Sequence, residues 1–235
     1  MVIIITGASR GLGWAMAEAF AADQQGHTLV LMARDAARLQ QAAMQLQARF
    51  SQTTVLHYAC QLGQQAQLPA LQQWLQQHAP VADVLINNAG YFVPGSVHAE
   101  AEGNLEAMLE ANLLSAYQLT RLVLPGMMSH GRGHVFNICS IASLKAYPGG
   151  GSYSISKFAL YGFGQNLREE MKPHGIKVTN VMPGATWTDS WAGSGIPPER
   201  LMEAQDIASM VYACAHLSPQ AVVEDIVMRP QPGDL

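Results

Sequence analysis

A chain of 235 residues is long enough to bury a large core, and 49% hydrophobic against 13% charged residues describes a compact globular protein rather than a disordered one. A formal net charge of −4 without any basic run argues against nucleic acid as a main partner, and runs such as "VIII" and "LVLM" are far too short to span a bilayer. The three cysteines, Cys60, Cys139 and Cys214, are widely spaced, and the eight histidines show no metal-ligand spacing. No metal, no membrane, reduced thiols and a cytoplasmic location are therefore expected, and no basic n-region precedes a long apolar segment at the N-terminus.

In chain order, "VIIIT" (2–6) reads as a buried strand, followed by a helix over 12–22. "TLVLMA" (28–33) is a second strand, and Asp35 caps a helix that runs to about Phe50. A strand over 53–59, a Gln-rich helix over 65–77, a strand over 83–87 and a long helical region over 102–128 follow. A fifth strand over 133–138 leads to a helix over 152–171, a sixth strand over 177–182, a shorter helix over 206–216 and a last strand over 222–228. The strands are apolar without alternation, so both of their faces are buried. Residues 1–235 are accordingly expected to form a single α/β domain, a doubly wound Rossmann unit with a mostly parallel seven-stranded sheet and helices on both faces.

"TGASRGLG" (6–13) sits between the first strand and the first helix. Glycines at Gly7, Gly11 and Gly13 allow a sharp turn, close approach of a pyrophosphate to the backbone, and tight helix–strand packing. The free N–H groups at the start of that helix favour an anion, so Gly7, Ser9, Arg10, Gly11, Leu12 and Gly13 are candidate dinucleotide-binding residues. An acidic residue at the end of the second strand would select NAD. Ala33 and Arg34 stand there instead, and Arg34 with Arg10 suits a 2′-phosphate, which predicts NADP(H). Asp35 is read as a helix cap; as a ribose ligand it would weaken that preference.

"GGGSYSISKFALYGF" (149–163) places Tyr153 and Lys157 one helical turn apart on one face. A nicotinamide carries hydride, so the protein must supply a proton to the carbonyl oxygen. A tyrosine with an ordinary pKa of about 10 is a poor acid at neutral pH. Lys157 and an oxidised nicotinamide ring are expected to lower it. Ser140 is placed to donate a hydrogen bond to the substrate oxygen.

These motifs, with "NNAG" at 87–90, Asn112 in "EANLLSAY", Ser140 in "NICSIAS" and "PGATWT" at 183–188, stand in the order found in the short-chain dehydrogenase/reductase family, which the chain resembles over nearly its whole length. The resemblance implies a catalytic set of Asn112, Ser140, Tyr153 and Lys157. Asn112 would hold a water through a local helix irregularity, and Lys157 would also grip the nicotinamide ribose. It implies cofactor contacts from Asn88, Ala89 and Gly90 near the adenine-side ribose, and from Pro183, Gly184, Thr186 and Thr188 near the carboxamide and phosphates. Gln61 and Leu62 would lie by the adenine, with Gln61 in place of the usual acidic residue. A homodimer or homotetramer is implied as well.

The C-terminal features resemble the bacterial sepiapterin-reductase-like branch of the family. Residues of about 188–204 are expected to form a lid, and Ser140, Ser143, Tyr147, Trp187 and Trp191 to line the substrate pocket. The two tryptophans suit either a pocket wall or lid anchors, and Ser143 suits either support of Ser140 or a turn. Asp234 either meets a pterin amine or is solvated. The expected function is an NADPH-dependent carbonyl reductase that moves hydride reversibly between the nicotinamide and a small carbonyl or alcohol substrate, with Tyr153 as general acid/base and a pterin side-chain ketone as one candidate. A 3-oxoacyl-carrier-protein reductase or a general alcohol dehydrogenase is the alternative, and a non-catalytic NADP(H)-sensing regulator is a third reading.

Overall fold

The computed structural model describes residues 1–191 and 195–234. Among the described residues, seven strands alternate with helices: β1 (Val2–Thr6), α1 (Gly11–Ala22), β2 (Thr28–Ala33), α2 (Ala36–Arg49), β3 (Thr54–Ala59), α3 (Leu68–His78), β4 (Val84–Asn87), α4 (Asn104–Leu109), α5 (Ser115–His130), β5 (Gly133–Ile138), α6 (Gly151–Met171), β6 (Ile176–Pro183), α7 (Ala204–Ala215) and β7 (Asp225–Met228). They form one sheet in the order β3-β2-β1-β4-β5-β6-β7. Every pairing is parallel, so the sheet is wholly rather than mostly parallel. The order reverses between β1 and β4, and in such sheets ligands bind outside the carboxyl ends of the strands at that point.

The non-alternating strands explain themselves in this arrangement. Ile3 and Ile5 face one side of the sheet, against Met16 and Phe20 of α1 and Ile207 and Val211 of α7. Ile4 faces the other, in the cluster that holds Leu71 of α3, Leu119 of α5 and Leu167 of α6. Successive side chains point to opposite faces, so a strand covered on both must be apolar at each position.

The helical region foreseen over 102–128 carries a π-helical turn at Glu110–Leu114 between α4 and α5, the local irregularity expected at Asn112. One expectation is corrected. The last strand begins at Asp225 rather than Val222, which is exposed. As the outer strand of the sheet, β7 is held on one side only.

One buried polar feature crosses the apolar sheet. Asn87, Asn137, Asn180 and Asp225 are in register on β4, β5, β6 and β7. Asn87 Nδ2 donates to Asn137 Oδ1 at 3.0 Å and to Thr120 Oγ1 at 2.9 Å. Asn137 Nδ2 donates to Asn180 Oδ1 at 3.4 Å, and Asn180 Nδ2 to Asp225 Oδ1 at 3.0 Å. Arg168 and Tyr161 of α6 close the row by donating to the Asp225 carboxylate at 3.1 and 2.9 Å. Gly164 packs α6 directly on this row: a Cβ there would strike Asn180 Oδ1 and come within 2.9 Å of Asn137 Nδ2. Gly164→Ala should force α6 away from the ladder, lowering unfolding free energy by about 1–3 kcal/mol. Urea denaturation checks the stability, and a parallel loss of turnover is expected because Lys157 lies two turns earlier on the same helix face.

Candidate active site

The glycine loop is built by close approach. Thr6 Oγ1, at the end of β1, accepts N–H groups from Asn88 and Ala89, both at 2.8 Å, while Asn88 Nδ2 donates to Thr6 O at 2.9 Å. These bonds pin the turn after β4 against the turn after β1. Gly7 has φ +64°, and a Cβ on it would lie 2.8 Å from Asn88 Nδ2; a Cβ on Gly13 would collide with Gly7 O. The first intrahelical bond of α1 is from Trp14 N to Arg10 O, so the N–H groups at Gly11, Leu12 and Gly13 have no carbonyl of their own helix to bond. Ser9, Gly11 and Leu12 are partly exposed beside them. Thr188 lies across from Gly11, its Cγ2 3.5 Å from where a Cβ would be.

Ala33 ends β2 and Arg34 is exposed beyond it, its guanidinium carbon 6.0 Å from the centre of the Tyr91 ring. Asp35 caps α2, with Oδ1 accepting the Arg38 N–H at 3.0 Å. Arg10 is paired to Asp189 at 2.9 Å, with both side chains more than half exposed. The two arginines thus have other neighbours in this structure, and Asp189 is a contact that the glycine-loop pattern gave no reason to expect. Gln61 Nε2 donates to Glu110 Oε1 at 3.0 Å, and Leu62 is buried in the core rather than open at the surface.

The helix that carries Tyr153 and Lys157, α6, starts on a carboxylate. Glu100 Oε1 accepts the Ser152 N–H at 2.8 Å, and Oε2 accepts the Ser152 hydroxyl. Gly151 has φ +31°, and a Cβ there would collide with Glu100. The glycine run at 149–151 is therefore required for the entry into α6. Glu100 complements the positive end of the helix dipole. Sequence reasoning missed it because its partner is 52 residues away.

Tyr153 is half-buried, edge-on to Phe92 with ring centres 4.9 Å apart, and hydrogen-bonded to Ser140. Burial pushes its pKa up to about 12, and the Ser140 bond opposes that only in part. This reverses the expected lowering by Lys157. The Lys157 Nζ is 5.9 Å from the Tyr153 ring centre and donates instead to Ile138 O at 2.8 Å. Burial pulls Lys157 down to about 8. The isolated site thus keeps a proton on Tyr153 at neutral pH. Cys139, next to Ser140, is pushed up to about 12 by burial and is no nucleophile.

Ser140 Oγ accepts from Ala142 N at 3.1 Å. Of the roles weighed for Ser143, the structure shows support of Ser140: it is buried, its hydroxyl donates to Lys157 O at 2.8 Å and accepts the Ser140 N–H at 3.3 Å. Asn112 lies in the π-helical turn, fully buried. Its Nδ2 donates to Tyr91 O at 3.1 Å and to Ser156 Oγ at 2.9 Å, and its Oδ1 accepts Tyr91 N–H at 2.9 Å. Ser156 in turn donates to Tyr153 O at 2.7 Å. A Cβ on Gly90 would be 2.7 Å from Asn112 Oδ1 and 3.7 Å from Lys157 Nζ. Gly90 therefore sits beside Asn112 and Lys157.

Pro183 ends β6 and Gly184 N donates to Met228 O at 2.7 Å. Thr186 is buried, its hydroxyl donates to Gly184 O at 3.0 Å, and a parallel bridge joins it to Met202. Trp187 and Tyr147 are exposed, and Trp191 is partly buried. Of the lid expected over 188–204, residues 192–194 lie outside the described residues. Asp234 is paired with Arg229, and its carbonyl accepts from Arg200 at 3.0 Å, so the carboxylate is already engaged.

A crevice at the sheet's switch point, a glycine-lined turn and a Ser–Tyr–Lys constellation together define a nucleotide-dependent oxidoreductase site. Residues 1–195 match the family described as short chain dehydrogenase, and the chain belongs to it. A relative named sepiapterin reductase, from Chlorobaculum tepidum, is 30% identical over 100% of this chain and 98% of its own length. An alcohol dehydrogenase from the archaeon Thermococcus sibiricus, solved with 5-hydroxy-NADP, superposes with a TM-score of 0.88 at 27% identity, over 98% of this chain and 96% of its own. L-Sorbose reductase from Gluconobacter frateurii, solved with NADPH and L-sorbose, gives 0.86 at 26% identity, over 97% and 95% of the two chains.

The Glu100 contact generates a test independent of substrate identity. Glu100→Ala should cost about 1–2 kcal/mol of stability, as for loss of a helix cap. Thermal denaturation followed by circular dichroism should show a lower Tm with an unchanged folded spectrum.

Proposed function

We propose that the chain is an NADP(H)-dependent reductase of small carbonyl substrates. The observation that carries this reading is a protonated, half-buried Tyr153 hydrogen-bonded to Ser140, with the Lys157 ammonium group held beneath by Ile138 O. The glycine cradle fits a dinucleotide: Gly7 and Gly13 leave no space for a side chain, and the N–H groups of 11–13 are open to a pyrophosphate. Asp35 is committed to its helix and Arg34 stands exposed beyond β2, which suits a 2′-phosphate. The solved relatives that carry NADPH or its derivative support the same choice.

When bound, the reduced nicotinamide supplies the hydride. The chain's part is the proton. A substrate oxygen set between Ser140 and Tyr153 accepts a hydrogen bond from each hydroxyl. As charge develops on that oxygen, Tyr153 gives up its proton to it, and the phenolate left behind is favoured by Lys157. Asn112 and Ser156 hold the Tyr91 turn and the Tyr153 backbone in register with this site. A regulator that only senses NADP(H) has no need of this proton donor. Within the carbonyl class, the likeness to sepiapterin reductase along the whole chain supports a pterin side-chain ketone.

The test is NADPH oxidation over pterin ketones, 3-oxoacyl thioesters and simple ketones. Turnover is expected to be highest with the pterin ketone, with kcat/KM higher for NADPH than NADH. Tyr153→Phe should lower kcat by about 10²–10⁴-fold. Wild-type turnover in that variant would remove Tyr153 from the chemistry.

Leu114, Tyr117, Ile155 and Phe158 leave apolar surface exposed around α5 and α6. We propose that a second copy of the chain covers it, giving a homo-oligomer. Light scattering at micromolar concentration should then return at least twice the 25.3 kDa chain mass.

A further inference from the structure

Three ligating side chains converge far from the catalytic crevice. Asp23 follows the last residue of α1, His216 follows the last residue of α7, and His27 leads into β2. One carboxylate oxygen and one ring nitrogen from each histidine lie within 4.8 Å of one another. Asp23 Oδ2 is 2.8 Å from His27 Nε2 and 3.9 Å from His216 Nε2. In a tetrahedral zinc site, ligand atoms about 2.0–2.1 Å from the metal stand roughly 3.3 Å from one another. The spacings found here bracket that value.

The hydrogen bonds around the cluster set the direction of the lone pairs. His216 Nδ1 is 2.8 Å from Tyr212 O. A carbonyl oxygen only accepts, so Nδ1 carries the proton and Nε2 of the neutral ring turns a lone pair toward Asp23. An anionic oxygen and a lone pair then face each other with no proton between them. A carbonyl that fixes a histidine tautomer in this way is the usual outer support of a metal ligand. His27 Nδ1 is 3.2 Å from the Met1 nitrogen, which leaves Nε2 aimed at the same carboxylate oxygen. The Tyr212 hydroxyl donates to Asp23 Oδ2 at 3.0 Å, and Gln25 N–H to Oδ1 at 2.9 Å.

Packing holds both imidazoles. His216 lies 4.1 Å from Tyr212 and 6.1 Å from Phe20 between ring centres, and His27 meets Phe20 edge-on at 6.3 Å. The His27 side chain is 4% exposed, Asp23 11% and His216 35%, so the cluster is closed on the protein side and open to solvent beside His216.

We propose that Asp23, His27 and His216 form a binding site for a divalent transition-metal ion of the zinc class, with water in the remaining position. The ion takes the place of the proton between His27 Nε2 and Asp23; that proton leaves to solvent as the metal–nitrogen bond forms, the Met1 ammonium group passes a proton to His27 Nδ1 so that the ring stays a neutral imidazole and the amine becomes its acceptor, and no redox change is involved. The bound ion ties the end of α1, whose other end is the glycine loop, to the end of α7, which follows the lid. The absence of ligand spacing in the chain hid this site, because His216 reaches it only through the packing of α7 on α1.

The experiment is titration of chelator-treated full-length protein with zinc chloride, read by calorimetry and thermal denaturation. One equivalent should bind wild type and raise its Tm by several degrees. In His216→Ala, a change at a partly exposed position, affinity should fall at least tenfold and the rise in Tm should vanish. Asp23→Asn should behave likewise, while His78→Ala, remote in the fold, should match wild type. Absence of one-equivalent binding to wild type, or equal binding to wild type and His216→Ala, would overturn the proposal.

Discussion

The seating of α6 on the amide ladder is the constraint from which the rest of the site follows. Asn87, Asn137, Asn180 and Asp225 tie four adjacent strands together through side-chain hydrogen bonds inside an apolar sheet. A buried polar row of this kind is costly if one strand slips, since each amide then loses its partner. Gly164 lets the helix backbone rest on that row. With α6 held there, Lys157 reaches Ile138 O at the end of β5, and Tyr153 reaches Ser140 just beyond it. The catalytic distances are therefore set by the same contacts that set the strand register.

Burial then decides the protonation states. It raises Tyr153 to about 12 and lowers Lys157 to about 8, so each group is driven toward its neutral form. The neutral form of a tyrosine is the proton donor that the proposed carbonyl reduction requires. Chain-only reasoning weighed the charge of Lys157 on Tyr153 and omitted the desolvation of both groups. Desolvation is a property of everything packed around a side chain and is not visible in the spacing of two residues.

The fold was legible because strand burial and helix periodicity are local patterns. "VIIIT" and "TLVLMA" announce strands covered on both faces, and "TGASRGLG" between strand and helix announces the turn that needs glycine. The helix boundaries were legible to within a few residues, and the irregularity at Asn112 only through the family resemblance. There Asn112 bonds Tyr91 and Ser156, neither of which is a chain neighbour. Ser143 was ambiguous for the same reason: a serine near a strand end suits a pocket or a turn until its hydroxyl is seen on Lys157 O.

By itself the sequence determined the order of elements and the parallel sheet, and it singled out the glycine turn and the Ser–Tyr–Lys set as candidates, since each is written in contiguous residues or short spacings. Only the tertiary structure decided that Glu100 caps the catalytic helix, that Arg10 meets Asp189, and that Asp23, His27 and His216 converge. Those contacts join segments tens to nearly two hundred residues apart. Their geometry is set by how helices pack on the sheet, and no local pattern of residue types records it.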